Sequence, residues 1–147
     1  MLKNIPAILS PELLKVLCEM GHGDELVIAD GNFPCESMGK NGIVVRADGH
    51  GVPELLDAVL KLIPLDAYVE KPVALMEVVP GDTCPTPEIW EVYKKILQKH
   101  EPDHCQINMT ERFAFYERAK KAYLIIATGE TAIYANILLK KGVVKPE

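Results

Sequence analysis

The sequence predicts an α/β layered fold, a single domain over residues 1–147 with a mostly parallel central sheet flanked by helices. Three observations predict it. The apolar runs Leu26–Ala29 and Tyr123–Ala127 are continuous rather than alternating, and Val73–Val79 is broken only by Glu77, which implies strands buried on both faces. These runs alternate with segments of helical period. The chain of 147 residues, 48% hydrophobic and 25% charged, can bury one proper core without staples.

The elements follow in order. Ser10 is an N-cap and Pro11 suits the first helical position, and Leu13, Leu14, Leu17 and Met20 keep helical spacing. Gly21 or Gly23 should end this helix. Leu26–Ala29 is the first strand, and Ile43–Val45 the second, stopped by Asp48-Gly49. Pro53-Glu54 opens a helix whose stripe is Leu55, Leu56, Val59, Leu60 and Ile63, closed by Pro64. Val73–Val79 is a third strand, ended by Pro80-Gly81-Asp82. Thr86-Pro87 is expected to cap a helix carrying Ile89, Trp90, Tyr93, Ile96 and Leu97. Cys105–Asn108 is a short strand. Thr110 should cap the next helix, with Phe113, Tyr116 and Ala119 inward. Tyr123–Ala127 is a strand, and Ile133–Leu139 the last one.

Composition narrows the function. Net charge is −5 and no basic stripe exists, so no nucleic-acid partner is expected. Lys120-Lys121 and Lys140-Lys141 read as solvated pairs. Cys18, Cys35, Cys84 and Cys105 lie far apart with no CxxC, as free thiols of a reducing compartment do. No signal peptide is visible at Met1–Pro6, and no apolar run approaches the ~20 residues of a membrane helix. A cytoplasmic protein without membrane contact is the expectation.

Four segments can carry chemistry. His22, between Gly21 and Gly23, carries an imidazole, a side chain that can give and take protons, though the same turn also serves as a plain helix stop. Asp30 ends a buried strand, where ligands of open α/β sheets bind, and it equally suits an Asx turn into Gly31-Asn32. Arg112 opens a helix, where the dipole is already positive, so an anionic or oxygen-rich partner is expected. Arg118 reads with Glu117 as surface. Tyr134 and Asn136 offer donors and acceptors for sugar hydroxyls, or else belong to a strand with one inward tyrosine. No GxGxxG, Walker A or GxSxG segment occurs. His100, His104 and Cys105 match no zinc spacing, so no metal is expected.

Several segments resemble the RbsD/FucU family in order and spacing. They are GHGDELVIAD at 21–30, NFP at 32–34, RADG at 46–49 and VPELLDAVLKLIPLD at 52–66. ERFAFYERAKKA at 111–122 and TGETAIYANILLKKGV at 128–143 continue the likeness, and RFAFYERA and NILLKKG are similar to the fucose-acting branch rather than the ribose pyranase branch. The resemblance implies an isomerase that interconverts the α and β anomers of L-fucose by acid/base-assisted ring opening, with no cofactor. It implies His22 as the proton donor and Asp30, Arg112, Tyr134, Ala135 and Asn136 as substrate-binding positions. It also implies a ring-shaped homo-oligomer, commonly a decamer, with sites near subunit contacts. Position 135 is Ala where related sequences often have Gly, and an added methyl could narrow a pocket there. The alternatives are a ribose-type pyranase and a non-catalytic sugar-binding protein.

One constraint is geometric. His22 and Asp30 stand eight residues apart, up to ~26 Å along an extended chain. The expected outcome is that they meet only at a subunit interface or by a sharp curl at the glycines. A structure that joins both side chains in one deep pocket of a single subunit, without such a curl, contradicts this.

Overall fold

The computed structural model describes residues 1–147. Its elements are α1 (Pro11–Glu19), β1 (Glu25–Ala29), α2 (Cys35–Met38), β2 (Ile43–Ala47), α3 (Val52–Leu60) and β3 (Val73–Met76). They continue with α4 (Ile89–His100), β4 (Ile107–Thr110), α5 (Arg112–Lys121), β5 (Leu124–Thr128) and β6 (Ile137–Lys140). The strands form one six-stranded sheet in the order β2-β5-β1-β6-β3-β4.

Five strands point the same way. β1 and β2 run parallel to β5, and β3 runs parallel to β4. β6 alone is reversed, antiparallel to both β1 and β3. The cause lies in its connection. Residues 129–136 leave the carboxyl end of β5 and enter β6 without a crossover helix, and such a connection can only deliver an antiparallel strand. Because β1 sits between β5 and β6, that connection must pass over the carboxyl end of β1. A glycine at its start is obligatory: a Cβ on Gly129 would lie 2.0 Å from the Asp48 carbonyl oxygen.

Alternation along the strands feeds two cores. Leu26 and Ile28 of β1, with Leu124 and Ile126 of β5, face the layer of α1, α3 and α4. Val27, Ala29, Ala74 and Ala127 face α2 and α5, and their small side chains make room for Phe115 and Phe33. Phe115 is fully buried at 0% exposure, worth roughly 1.5–3 kcal/mol of burial.

Several expected boundaries move. Ser10 does cap α1, accepting from the Leu13 N–H at 3.1 Å, but the helix stops at Glu19 and Met20 is its C-cap. Gly21 and Gly23 therefore lie beyond it, in the turn that enters β1. β3 ends at Met76, so Glu77–Val79 is loop. Thr86-Pro87 does not cap α4, whose N-cap is Glu88 with no side-chain hydrogen bond. β4 takes in Thr110, and Glu111 caps α5 by accepting from the Phe113 and Ala114 N–H groups at 3.0 Å. The inward face of α5 also differs in part: Ala119 is buried as expected, but Phe113 is exposed and Phe115 is buried instead. Ile133–Asn136 is loop rather than strand, because the passage over β1 consumes it. Arg118 reaches across to Glu25 rather than to Glu117. No helix is long and apolar enough to cross a membrane.

Helices α3 and α4 are tied by Asp57, which accepts from His100 Nε2 at 2.7 Å and from Lys99 Nζ at 3.0 Å. The His100 hydrogen bond and then Lys99 hold the Asp57 carboxyl down at about 2. A depressed folded-state pKa gives stability that is present above the unfolded carboxylate value and is lost as pH falls through about 2. Asp57→Asn is expected to cost on the order of 1 kcal/mol at neutral pH, a value discounted for solvent screening. Urea titrations should show the gap to wild type closing as pH falls from about 4. A gap that persists in acid contradicts the ion pairing.

Candidate functional site

The carboxyl ends of β1 and β3, the start of α5 and the 129–136 connection surround a cleft of about 300 Å³. Asp30, Asn32, Phe33, Met76, Val79, Asp82, Arg112, Tyr116, Ile133, Tyr134 and Asn136 line it. Ligands of open α/β sheets bind at this end of the strands.

Asp30 is the first residue past β1 and is 5% exposed. Its N–H donates to Asn136 Oδ1 at 2.8 Å. Its Oδ1 accepts the Asn32 N–H at 3.0 Å and its Oδ2 the Ala135 N–H at 3.3 Å. The Asx turn and the cleft position are thus both real. Burial pushes the Asp30 carboxyl up, against the hydrogen bonds from Asn32 and Ala135. Each oxygen keeps acceptor capacity for a ligand hydroxyl. Asn136 uses its carbonyl oxygen on Asp30, which leaves its NH₂ as a donor for the cleft.

Tyr134 sits at φ 54°, the left-handed region, where a bulky residue costs roughly 1–3 kcal/mol. Three hydrogen bonds hold it there. Trp90 Nε1 donates to its carbonyl at 2.8 Å, the Val79 N–H donates to its phenol oxygen at 3.2 Å, and the phenol donates to Asp82. One residue on, the Tyr93 hydroxyl donates to the Ala135 carbonyl at 2.6 Å. Trp90 and Tyr93 of α4 thus suspend the connection from below. The sequence marks both only as an apolar stripe, because spacing reports the face and not the polar tip.

Ala135 does not line the cleft. It is fully buried, and its methyl packs in the α1/α3/α4 core. Only its N–H turns toward the site, on Asp30, so the methyl narrows nothing.

Arg112 is the first residue of α5. Its Nε donates to the Tyr116 hydroxyl at 3.2 Å, and its guanidinium stands 5.5 Å and 5.4 Å from the Phe113 and Tyr116 ring centroids. The Tyr116 oxygen pushes its pKa up, so the group is fully charged. It makes no salt bridge, so the oxygen-rich partner expected of it is only a phenol; the residue lines the cleft, and its terminal nitrogens make no hydrogen bond.

His22 stands elsewhere. It lies at the amino end of β1, with the five residues of the strand between it and Asp30. Its Nε2 is 3.0 Å from Asp66 Oδ1, its ring lies tilted against Tyr68 with centroids 5.2 Å apart, and its side chain is 45% exposed. Asp66 is buried, and burial raises its pKa. The Tyr68 N–H and His22 outweigh that burial and leave it lowered. An ionised carboxylate only accepts, so Nε2 carries the proton and Nδ1 is the outward nitrogen. Asp66 escapes sequence reasoning because 44 residues separate it from His22 and its own context is only a loop after Pro64. Residues 21–24 form a tight turn, with the Asp24 N–H on the Gly21 carbonyl at 3.2 Å and Gly23 at φ 87°, but it leaves His22 on Asp66 at the amino end of β1 and does not carry it to the cleft.

Comparison with known proteins places this geometry. The profile of the RbsD / FucU transport protein family matches residues 3–144. A human protein named fucose mutarotase is 55% identical over 146 residues, covering 97% of this chain and 94% of its own. The crystal structure of FucU from Bifidobacterium longum superposes with a TM-score of 0.93 at 62% identity, covering 97% of this chain and all of that one. A fucose mutarotase from Streptococcus pneumoniae, solved in complex with L-fucose, gives 0.91 at 53% identity, covering 98% of this chain and all of that one. The chain belongs to the RbsD/FucU family.

Tyr93→Phe leaves the buried Ala135 carbonyl without its donor. The expected loss is about 1–3 kcal/mol in urea unfolding. An unchanged midpoint would show that α4 does not carry the connection.

Proposed function

We propose that this protein is an L-fucose mutarotase whose site forms between two copies of the chain. One copy supplies the cleft and the other supplies His22. The observation that carries this is the separation of His22 and Asp30 at opposite ends of β1. Tyr68 adds support, because it is 76% exposed beside His22 and presents a bare aromatic face to whatever covers that turn. The names of the human and Streptococcus relatives support the choice of sugar.

The chemistry follows from the donors and acceptors. Exchange of anomers needs a proton delivered to the ring oxygen while the anomeric hydroxyl gives one up to solvent water. The bond from C1 to the ring oxygen breaks, the aldehyde turns about C1–C2, and closure on the other face reverses both transfers. His22, as the imidazolium, delivers the first proton from its outward Nδ1, while Nε2–H stays on Asp66 and orients the ring. Asp30 accepts from sugar hydroxyls rather than orienting the imidazole, since Asp66 already does so. The Arg112 guanidinium stabilises negative charge on the anomeric oxygen. Asn136 donates to a hydroxyl and Tyr134 lines the wall. Nothing in the sequence of steps calls for a cofactor. The assembly is a homo-oligomer, a ring-shaped decamer, in the cytoplasm.

Saturation-transfer NMR on L-fucose tests the activity, and His22→Ala should slow exchange by roughly 10²-fold with the fold intact. Full activity in that variant makes His22 only a turn residue. Acceleration of ribose pyranose–furanose exchange in place of fucose favours a pyranase. Fucose binding without exchange makes the protein a sugar binder. Light scattering tests the decamer, and a monomer at working concentration excludes a shared site.

A further inference from the structure

After β3 the chain runs through Pro80-Gly81-Asp82, a segment the sequence marks only as a strand stop. In the structure this loop is one wall of the cleft, and Asp82 lines it. Asp82 Oδ1 accepts the Cys84 N–H at 3.0 Å, and Oδ2 accepts the Tyr134 phenol proton. The phenol oxygen in turn accepts the Val79 N–H at 3.2 Å. The loop is therefore pinned to Tyr134 at two points, Val79 and Asp82.

A phenol has one proton. Given to Asp82, it is not available to a ligand, so Tyr134 can only accept from the cleft. We propose that Asp82 is a positioning residue of the sugar site, one that latches the Val79–Cys84 loop onto Tyr134 and fixes the phenol as an acceptor. This rests on the cleft being the sugar site proposed above. Asp82 acts through Tyr134 and the closed wall, and the latch sets how tightly the sugar is held rather than how fast protons move.

The test compares Asp82→Ala, Asp82→Asn, Tyr134→Phe and the double variant Asp82→Ala/Tyr134→Phe. Asp82→Ala should raise KM for L-fucose about tenfold in the NMR exchange assay, with kcat within about threefold of wild type. Asp82→Asn should restore KM to within about threefold, because an amide oxygen also accepts the phenol proton. In the Tyr134→Phe background Asp82→Ala should add no further loss. A second readout is independent of turnover. Ultraviolet titration of wild type minus Tyr134→Phe isolates the Tyr134 phenol, which the Asp82 hydrogen bond and charge hold above the ordinary tyrosine range. Asp82→Ala should bring it down. A titration that Asp82→Ala leaves unmoved overturns the latch. So does a failed rescue by Asn, or an equal KM penalty in the Tyr134→Phe background. If the wild type exchanges no fucose, the mutarotase reading fails, while the titration still decides the latch.

Discussion

The passage of residues 129–136 over the carboxyl end of β1 is the constraint on which the site depends. It reverses β6, and it stacks Tyr134, Ala135 and Asn136 against Asp30. The Asp30 N–H on Asn136 and the Ala135 N–H on Asp30 fasten the two segments to each other. Without those bonds a buried carboxylate would face an unfilled gap. With them, the carboxylate is desolvated yet satisfied, and it still has acceptor capacity toward the cleft. The strained tyrosine is the cost of the tight passage, and α4 bears it through Trp90 and Tyr93.

The same strand separates two polar centres. The carboxyl end carries a carboxylate, an amide and a guanidinium without a salt bridge, a set that binds and polarises hydroxyls but holds no imidazole to deliver a proton. The amino end carries an imidazole backed by a buried carboxylate, which can deliver one but has no cleft beside it. Each centre lacks what the other has. A second copy is the economical way to join them, because a straight β1 of five residues spans roughly 17 Å.

Much of the fold was legible in the sequence. The continuous apolar runs marked β1 and β5 correctly, and the stripe from Leu55 to Ile63 marked α3. The direction of β6 was not legible, since periodicity reports burial and not polarity of the strand. Ile133–Asn136 looked like strand because Ile133 and Tyr134 are strand formers, but the need to cross β1 overrode local preference. At α5 the expected cap fell one residue early, and Phe115 rather than Phe113 entered the core. At the cleft, Asp30 and Arg112 stood out as charges at element ends, and the glycines around His22 marked its turn. Asp66, Trp90, Tyr93 and Asp82 did not stand out, because their importance lies in partners distant along the chain.

The central claim is that His22 and Asp30 act in one site supplied by two copies. The most direct measurement mixes His22→Ala and Asp30→Asn protomers, each inactive alone, unfolds and refolds them together, and follows L-fucose exchange by NMR. The account predicts recovered exchange, since roughly a quarter of the sites in a random mixture draw both intact residues. Exchange no greater than that of the separate variants, in a confirmed mixed oligomer, would contradict it.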